Sequence, residues 1–279
     1  MLKLSTTRKY SRSQSPALTI GISLTLFVVA LALFSNLVTS QDPFKSVALP
    51  FQAPSSEHLL GTDDLGRSIF AGIIHGAKTS LLVGFIVASV SLLIGIVVGA
   101  VAGFYGGWVD DILMRFTELI LILPRFFLAL MVVALFGPSL TNLILVLALT
   151  TWGFTARITR AGVLSARELE YVMAARSLGR TELANLFCHV LPNVITPVTA
   201  YGALLMGNAI LIEAGLSFLG LGDPNVMSWG YMLNNAQTFI RRAWWMSVFP
   251  GLAIAVTVLG INLLSDGISK LHNSRRGLV

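Results

Sequence analysis

The sequence predicts an all-α protein that crosses a membrane six times, and three observations support this fold class. Of its 279 residues, 55% are hydrophobic and only 11% are charged, whereas ordinary globular domains are about 25% charged. Six apolar segments are long enough, or nearly so, to span a bilayer. The charged residues lie mostly between these segments. A water-soluble domain of this size would need more charge to cover its surface.

A helix needs about 20 largely apolar residues to cross the roughly 30 Å of bilayer hydrocarbon. Five of the six segments contain no charged residue, and the sixth is interrupted by Pro124 and Arg125. The predicted spans are residues 17–38, 81–104, 119–136, 140–156, 194–212 and 243–265. They define a predicted transmembrane domain, 17–268, between an N-terminal segment, 1–16, and a tail, 269–279.

The distribution of Lys and Arg predicts the orientation of the chain. Segments on the side of the two termini hold 13 of these residues, and the two opposite loops, 39–80 and 213–242, hold five. The positive-inside rule therefore predicts that both termini are cytoplasmic. The first apolar segment is too long for a signal peptide, so we expect an uncleaved first span. Because the net charge of +6 follows this topology, no nucleic-acid partner is expected.

Two local patterns in this layout predict helix contacts. Gly95, Gly99, Gly103 and Gly107 recur every fourth residue, which places small residues on one helix face and allows a second helix to approach closely. The long cytoplasmic loop, residues 160–192, carries the other pattern.

This loop is predicted to fold into two short helices. Residues 169–178 have a helical composition, and Gly179 is suited to the left-handed conformation that commonly ends a helix. Thr181 is a suitable N-cap for a second helix, which we expect Pro192 to end. The loop should therefore form an ordered protrusion with a glycine corner.

Three stretches of the chain resemble one family of transport proteins. Met173-Ala174-Ala175, Gly179 and His189-Val190-Leu191-Pro192 resemble the "EAA" loop by which ABC-importer permeases engage their ATPase. His58–Leu81 and Glu213–Gly230 resemble the segments after spans one and five in C-type permeases of dipeptide, oligopeptide and nickel importers. The resemblance runs from the first span to the last and implies the type I permease fold of ABC importers.

The chain departs from this family pattern at three positions. Met173 stands where the family usually has glutamate, Ser68 replaces a common aspartate, and Arg125 falls where small or apolar residues normally follow the proline. Position 173 therefore carries no charge for a contact with the ATPase.

The resemblance implies a non-enzymatic subunit of an ATP-driven importer in the cytoplasmic (inner) membrane of a prokaryote. It would form half of the translocation path for a small peptide or a nickel-like chelate. The implied partners are a homologous second permease, two ABC ATPases, an extracytoplasmic substrate-binding protein and membrane lipid. No cofactor is expected in this chain, because ATP and Mg would be bound by the partner ATPases.

The resemblance also assigns candidate residues. The predicted ATPase-coupling residues are Met173, Ala174, Ala175, Arg176, Gly179, Arg180, Glu182, Leu191 and Pro192. The predicted contacts with the binding protein are Asp63, Asp64, Arg67, Asp223 and Trp229.

Arg125 and Glu213 are predicted to line the translocation path. A charge inside a span is costly against lipid, so Arg125 should face the bundle interior or a water-filled path, near an acid such as Glu213 or Glu118. An arginine that snorkels from a shifted helix end is the alternative interpretation.

Two other functions are the alternatives, an intramembrane aspartyl protease and a passive channel. Gly220–Asp223 matches the Gly-x-Gly-Asp string of such proteases, but that chemistry needs a second carboxylate nearby, and Asp266 is predicted at the opposite end of a distant span. Residues 72–79 resemble a P-loop only loosely, since Ala77 separates the glycine from the lysine. The single cysteine excludes a disulfide framework, and the scattered histidines offer no metal site.

Overall fold

The structure, a computed structural model, describes residues 16–275, with the backbone only for Thr196 and residues 271–275. Within this range the chain forms α-helices joined by loops, and no strand is present. The elements are α1 (Pro16–Leu33), α2 (Ser35–Val38), α3 (Ile69–Tyr105), α4 (Gly107–Ile122), α5 (Arg125–Phe136), α6 (Leu140–Arg167), α7 (Glu170–Ser177), α8 (Glu182–Asn185), a π-helical turn (Leu186–Val190), α9 (Leu191–Phe218), α10 (Trp229–Ala236), a 3₁₀ turn (Gln237–Phe239) and α11 (Trp245–Arg275).

Five of the described helices, α1, α3, α6, α9 and α11, are long and apolar enough to cross a membrane. α4 and α5 pass the same length and composition test together and are bent by 74° where they meet, so the structure has six spans if this pair crosses the membrane as one. The predicted all-α polytopic fold is confirmed. Apart from Pro16, the predicted N-terminal segment 1–16 lies outside the described residues, as do residues 276–279 of the predicted tail.

The third predicted span, 119–136, is not one continuous helix. It begins within α4, which itself starts at Gly107, and it breaks at Leu123 and Pro124. Leu123 has extended backbone angles (φ −63°, ψ 125°), as expected for a residue that precedes proline. The proline also has no N–H for the helix hydrogen bond. The interruption therefore follows from the local sequence at Leu123 and Pro124. The apolar composition of residues 119–136 as a whole did not reveal it.

Other helices extend beyond the apolar segments that predicted them. α3 begins at Ile69 rather than near residue 81, and α6 continues to Arg167 rather than ending near residue 156. α3 can start early because the Ser68 hydroxyl accepts a hydrogen bond from the Ala71 N–H at 3.3 Å, an N-cap that satisfies a free donor of the first turn. Hydropathy detects the membrane-embedded part of a helix, whereas caps and tertiary contacts set its ends.

α3 lies at the centre of the bundle, packed closely against α6. A Cβ atom on Gly95 would overlap Thr155, and one on Gly99 would overlap the Ala156 carbonyl. These contacts confirm the predicted close helix approach. Gly107, however, is not part of this face, because α3 ends at Tyr105 and Gly107 has a φ of +53° with open space around it.

The remaining spans surround this pair. α1 packs on α11, where a Cβ atom on Gly21 would lie 2.5 Å from the Leu264 nitrogen. Buried residues form three clusters along the bundle, represented by Trp229 at one end, Leu147 in the middle and Val190 at the other end. The end that carries α10 is called the α10 face below, and the end that carries α7 and α8 is called the α7–α8 face.

The close packing of α3 on α6 makes Gly99 intolerant of a side chain. Gly99→Leu should lower the thermal stability of the protein in detergent by at least the 1–3 kcal/mol that overpacking typically costs. Gly251→Leu is the matched control, because Gly251 is also helical but has no atom within 4 Å of a Cβ position. Equal unfolding midpoints for the two variants would contradict the tight α3–α6 contact.

Candidate functional site

The loop 160–192 forms a compact pair of helices attached to the end of α6. The Val172 side chain of α7 is 1% exposed and packs in the cluster that contains Val163 and Val190. On the opposite side of α7, Met173 is 46% exposed and Ala174 is also exposed. One face of α7 therefore anchors the loop to the bundle, and the other is free to contact a partner.

Gly179 makes the corner between α7 and α8. Its φ is +83°, a conformation in which an L side chain clashes with the backbone. The Gly179 N–H donates to the Arg176 carbonyl at 3.0 Å, and the Arg180 N–H donates to the Ala175 carbonyl at 3.2 Å. These bonds satisfy carbonyls at the end of α7, as expected for a helix that ends in a left-handed residue.

Side chains tie α7 to α8 and to the next span. Across the corner, Arg176 Nη2 donates a hydrogen bond of 2.9 Å to Glu182 Oε2, and Arg176 Nε lies 2.9 Å from Glu182 Oε1 in the same ion pair. The Thr181 hydroxyl caps α8 by accepting from the Ala184 N–H at 3.4 Å. Arg180 contacts His189 at 3.1 Å. The loop is therefore cross-linked by polar contacts and is positioned as one body.

Pro192 does not end the second helix, in contrast to the prediction. The chain remains helical from α8 through the π-helical turn into α9, where Leu191 and Pro192 occupy the first two positions. Proline is tolerated in a first turn because its missing N–H has no partner there. The π-helical turn allows α9 to begin at Leu191 without a loop. A displacement of α8 would thus be transmitted directly to α9.

The arginines of the loop region also connect α6 with α3 and α4. Arg160 makes a bidentate ion pair with Asp110 at the start of α4, and an Arg167 guanidinium nitrogen donates to the Gly103 carbonyl at 3.0 Å. Arg157 approaches Glu118 at 3.6 Å. Sequence reasoning missed Asp110. The pair joins residues 50 positions apart in the chain, and the only sequence signal was the acidic side chain itself.

On the α10 face, two of the predicted contact residues are buried and hold the structure together. Trp229 is 1% exposed, and its indole N–H donates to the Ile73 carbonyl at 3.0 Å. The Asp63 carboxylate accepts from the Leu65 and Arg67 N–H groups at 2.9 and 2.7 Å. Burial raises the pKa of the Asp63 carboxyl above its ordinary value, although these hydrogen bonds oppose the shift. Asp63 and Trp229 therefore offer little surface in this structure, and their predicted contact with the binding protein stays a prediction.

The other predicted contacts on this face remain accessible. Asp64 is partly exposed. Arg67 donates to the Tyr231 hydroxyl at 3.3 Å and lies over the Phe44 ring. Asp223 forms a local turn by accepting from the Asn225 N–H at 2.9 Å.

Glu213 is not on an open path either. It is fully buried, and its Oε1 atom accepts hydrogen bonds from Ser217 at 2.7 Å and Ser228 at 3.0 Å. Ser228 is the N-cap of α10 and also accepts from the Tyr231 N–H at 3.1 Å. Glu213 therefore connects the start of α10 to α9 in this structure, and its predicted role in lining the path stays a prediction.

Arg125 is half-buried at the first position of α5. Its guanidinium carbon lies 5.9 Å from the centre of the Phe154 ring. Glu118 pairs with Arg157, and Glu213 bonds to two serines, so neither acid is the partner that the sequence had predicted for Arg125.

The geometry does not support a catalytic site. Asp223 lies in the loop between α9 and α10, whereas Asp266 lies near the far end of α11, so the two carboxylates required by an aspartyl protease do not meet. Residues 72–79 are part of α3, which leaves no loop to enclose a phosphate. In the described part of the chain, no group of three His, Cys, Asp or Glu side chains is placed to hold a metal ion.

A bundle of spanning helices with an ordered two-helix loop on one face defines the class, a multi-pass membrane protein. Residues 95–277 match the family described as the binding-protein-dependent transport system inner membrane component.

Relatives and a solved structure support the same assignment. The dipeptide transport system permease protein DppC of Escherichia coli strain K12 is 40% identical over 257 residues, 89% of this chain and 86% of its own. The di/tripeptide permease DppC of Pseudomonas aeruginosa is 39% identical over 89% of this chain and 84% of its own. A crystal structure of an amino acid ABC transporter with histidines has the same fold, with a TM-score of 0.56 and 19% identity over 75% of this chain and 95% of that one.

The chain belongs to the binding-protein-dependent transport system inner membrane component family. It is a permease subunit of an ABC importer, and it is not an enzyme.

The Asp110–Arg160 pair should stabilise the junction of α4 with α6. Asp110→Ala leaves a guanidinium that is about one-third exposed without its carboxylate, and we expect a loss of about 1–3 kcal/mol, less than the 3–5 kcal/mol typical of fully buried pairs. Glu118→Ala, which breaks the exposed pair with Arg157, should cost under about 1 kcal/mol. Thermal unfolding in detergent measures both. A smaller effect at Asp110 than at Glu118 would refute this ranking.

Proposed function

We propose that this chain forms half of the translocation path of an ATP-driven importer of small peptides. The observation that carries the proposal is its 37–40% identity, over 89–97% of its length, to proteins named as dipeptide, di/tripeptide and putative peptide transport permeases. A homologous second permease would supply the other half of the path. Two ATPases and an extracytoplasmic binding protein would complete the assembly.

The α7–α8 face is proposed to be cytoplasmic, together with both termini, in the inner membrane of a prokaryote. The excess of Lys and Arg on this side, 13 against five, supports the orientation. It places the two-helix loop where ATPases hydrolyse ATP, and ATP and Mg would be bound by those subunits rather than by this chain.

The outer surface of α7 and the corner after it are the proposed ATPase contact. Met173 and Ala174 are exposed, and Leu178 is 89% exposed at the end of α7. The small side chains of Ala174 and Ala175 would let a partner approach closely. The methionine at position 173 would make this contact apolar rather than ionic.

Movement of the ATPases would be transmitted through contacts already described. α8 continues into α9 through the π-helical turn, and the Asn193 amide donates to the Tyr171 hydroxyl of α7 at 2.7 Å. Displacement of α7 would therefore tilt α9. Because Arg160 and Arg167 attach α6 to α4 and to α3, these two helices would move together with α6. The bundle would alternate between inward-open and outward-open states as the ATPases bind and release nucleotide.

The binding protein is proposed to dock on the α10 face. Asp64, Arg67 and Asp223 have accessible side chains there. Asp63 and Trp229 would act indirectly, because they hold the two loops that form this face.

Transport by the reconstituted assembly tests the proposed function. Vesicles that contain this permease, its sister permease and the ATPases should accumulate a labelled dipeptide when the binding protein is outside and ATP is inside. Uptake should stop when ATP is replaced by a non-hydrolysable analogue. Accumulation that continues under that condition would indicate a passive channel instead.

The glycine corner allows a sharp test of coupling. Gly179→Val should abolish uptake and weaken recovery of the ATPase with the purified permease, because a β-branched side chain destabilises the left-handed conformation by about 1–2 kcal/mol and misdirects α8. Ala175→Trp should act similarly, and Met173→Ala should be much milder.

Gly137→Val is the matched control for that experiment. Gly137 also has a positive φ, +85°, and open space for a Cβ atom, but it lies between α5 and α6, away from the loop. If both valine variants retain the ATPase equally well and transport normally, the α7–α8 loop is not the coupling element.

A further inference from the structure

Arg125 lies at a depth where a charged side chain needs a reason to be present. Its guanidinium group is over Phe154, which is halfway along the 28-residue helix α6. It also interacts electrostatically with Tyr201, which lies within the candidate span Pro197–Phe218. Because the last part of α6 belongs to the loop 160–192, Phe154 lies near the end of the predicted span 140–156, and the guanidinium group is within the spanning region on the side of the α7–α8 face.

No carboxylate of the described residues neutralises Arg125 at ion-pair distance. The two acids that the sequence analysis offered as partners, Glu118 and Glu213, are engaged with Arg157 and with Ser217 and Ser228. The arginine is only half-buried and borders an open cleft. An accessible, uncompensated cation at membrane depth is typical of a path for a charged substrate.

The surroundings of Arg125 combine an apolar cleft with polar groups. Arg125 borders an open cleft whose other walls are apolar or glycine residues of α5 and α9. These are Phe126, Ile212, Gly215, Leu216 and Leu219. A second cleft, between α9 and α11, contains Tyr201, Asn208 and Asn262. Tyr201 borders this second cleft and lies close enough to Arg125 to be affected by its charge.

We propose that Arg125 binds the carboxylate of the substrate during its passage and gives this permease a preference for peptides with a free C-terminal carboxylate. A guanidinium group binds a carboxylate with two parallel hydrogen bonds. The amides of Asn208 and Asn262 supply donors and acceptors that match a peptide backbone, and the apolar cleft accommodates a side chain. This inference rests on the proposed peptide transport and adds the chemical group that the path recognises.

Matched peptides test the proposal. Uptake of a labelled dipeptide and of its C-terminal amide is measured in vesicles, each with the same binding protein saturated by that peptide. The ratio of the two rates is then compared between wild type and Arg125→Met, so that the binding protein's own preference cancels. Arg125→Met should lower the acid-to-amide ratio about tenfold, which corresponds to about 1.4 kcal/mol. Arg125→Lys should lower it less, because lysine keeps the charge but loses the bidentate geometry.

Arg115→Met is the control, since it removes one exposed positive charge from α4 and should leave the ratio unchanged. An unchanged ratio in Arg125→Met with normal uptake would overturn the proposal and leave Arg125 as an anchor. If Arg125→Met transports neither peptide, Arg125→Lys decides: a retained carboxylate preference supports the proposal, and an equal loss of both substrates overturns it. A wild-type assembly that takes up neither peptide would instead refute the proposed peptide transport.

Discussion

The contact between α3 and α6 is the interaction on which the rest of the structure depends. Lipid provides no hydrophobic force between spanning helices, so their association relies on close packing. Gly95 and Gly99 allow the backbones to meet near Thr155 and Ala156, and this contact places α6 firmly in the centre of the bundle. α7 follows directly after α6, so the α7–α8 loop is attached to a helix that is held firmly in place.

Electrostatic contacts extend this foundation to the neighbouring helices. Arg160 and Arg167 attach the end of α6 to Asp110 of α4 and to the Gly103 carbonyl of α3. On the other side of the loop, the absence of a break between α8 and α9 connects the same element to a second span. A force applied at α7 would therefore act on α3, α4, α6 and α9 together.

Much of this architecture could be predicted from sequence because the signals are local or strongly periodic. Gly179 adopts the expected left-handed conformation, and Thr181 caps the helix that it was expected to cap. The break at Pro124 and the continuation through Pro192 were misjudged, because the effect of a proline depends on its position within a helix turn. The burial of Glu213, Asp63 and Trp229 could not be foreseen, since it results from packing between segments far apart in the chain.

The pairing of arginines in the α7–α8 loop also affects how this face meets another protein. Arg176 is matched by Glu182, and Arg167 lies beside Glu168, so these two positive charges are largely offset within the chain. The surface offered by Met173, Ala174 and Leu178 is mainly apolar. Association at such a surface gains little from long-range charge attraction and is only weakly sensitive to ionic strength. Shape complementarity, rather than electrostatic steering, would then select any protein that binds this surface.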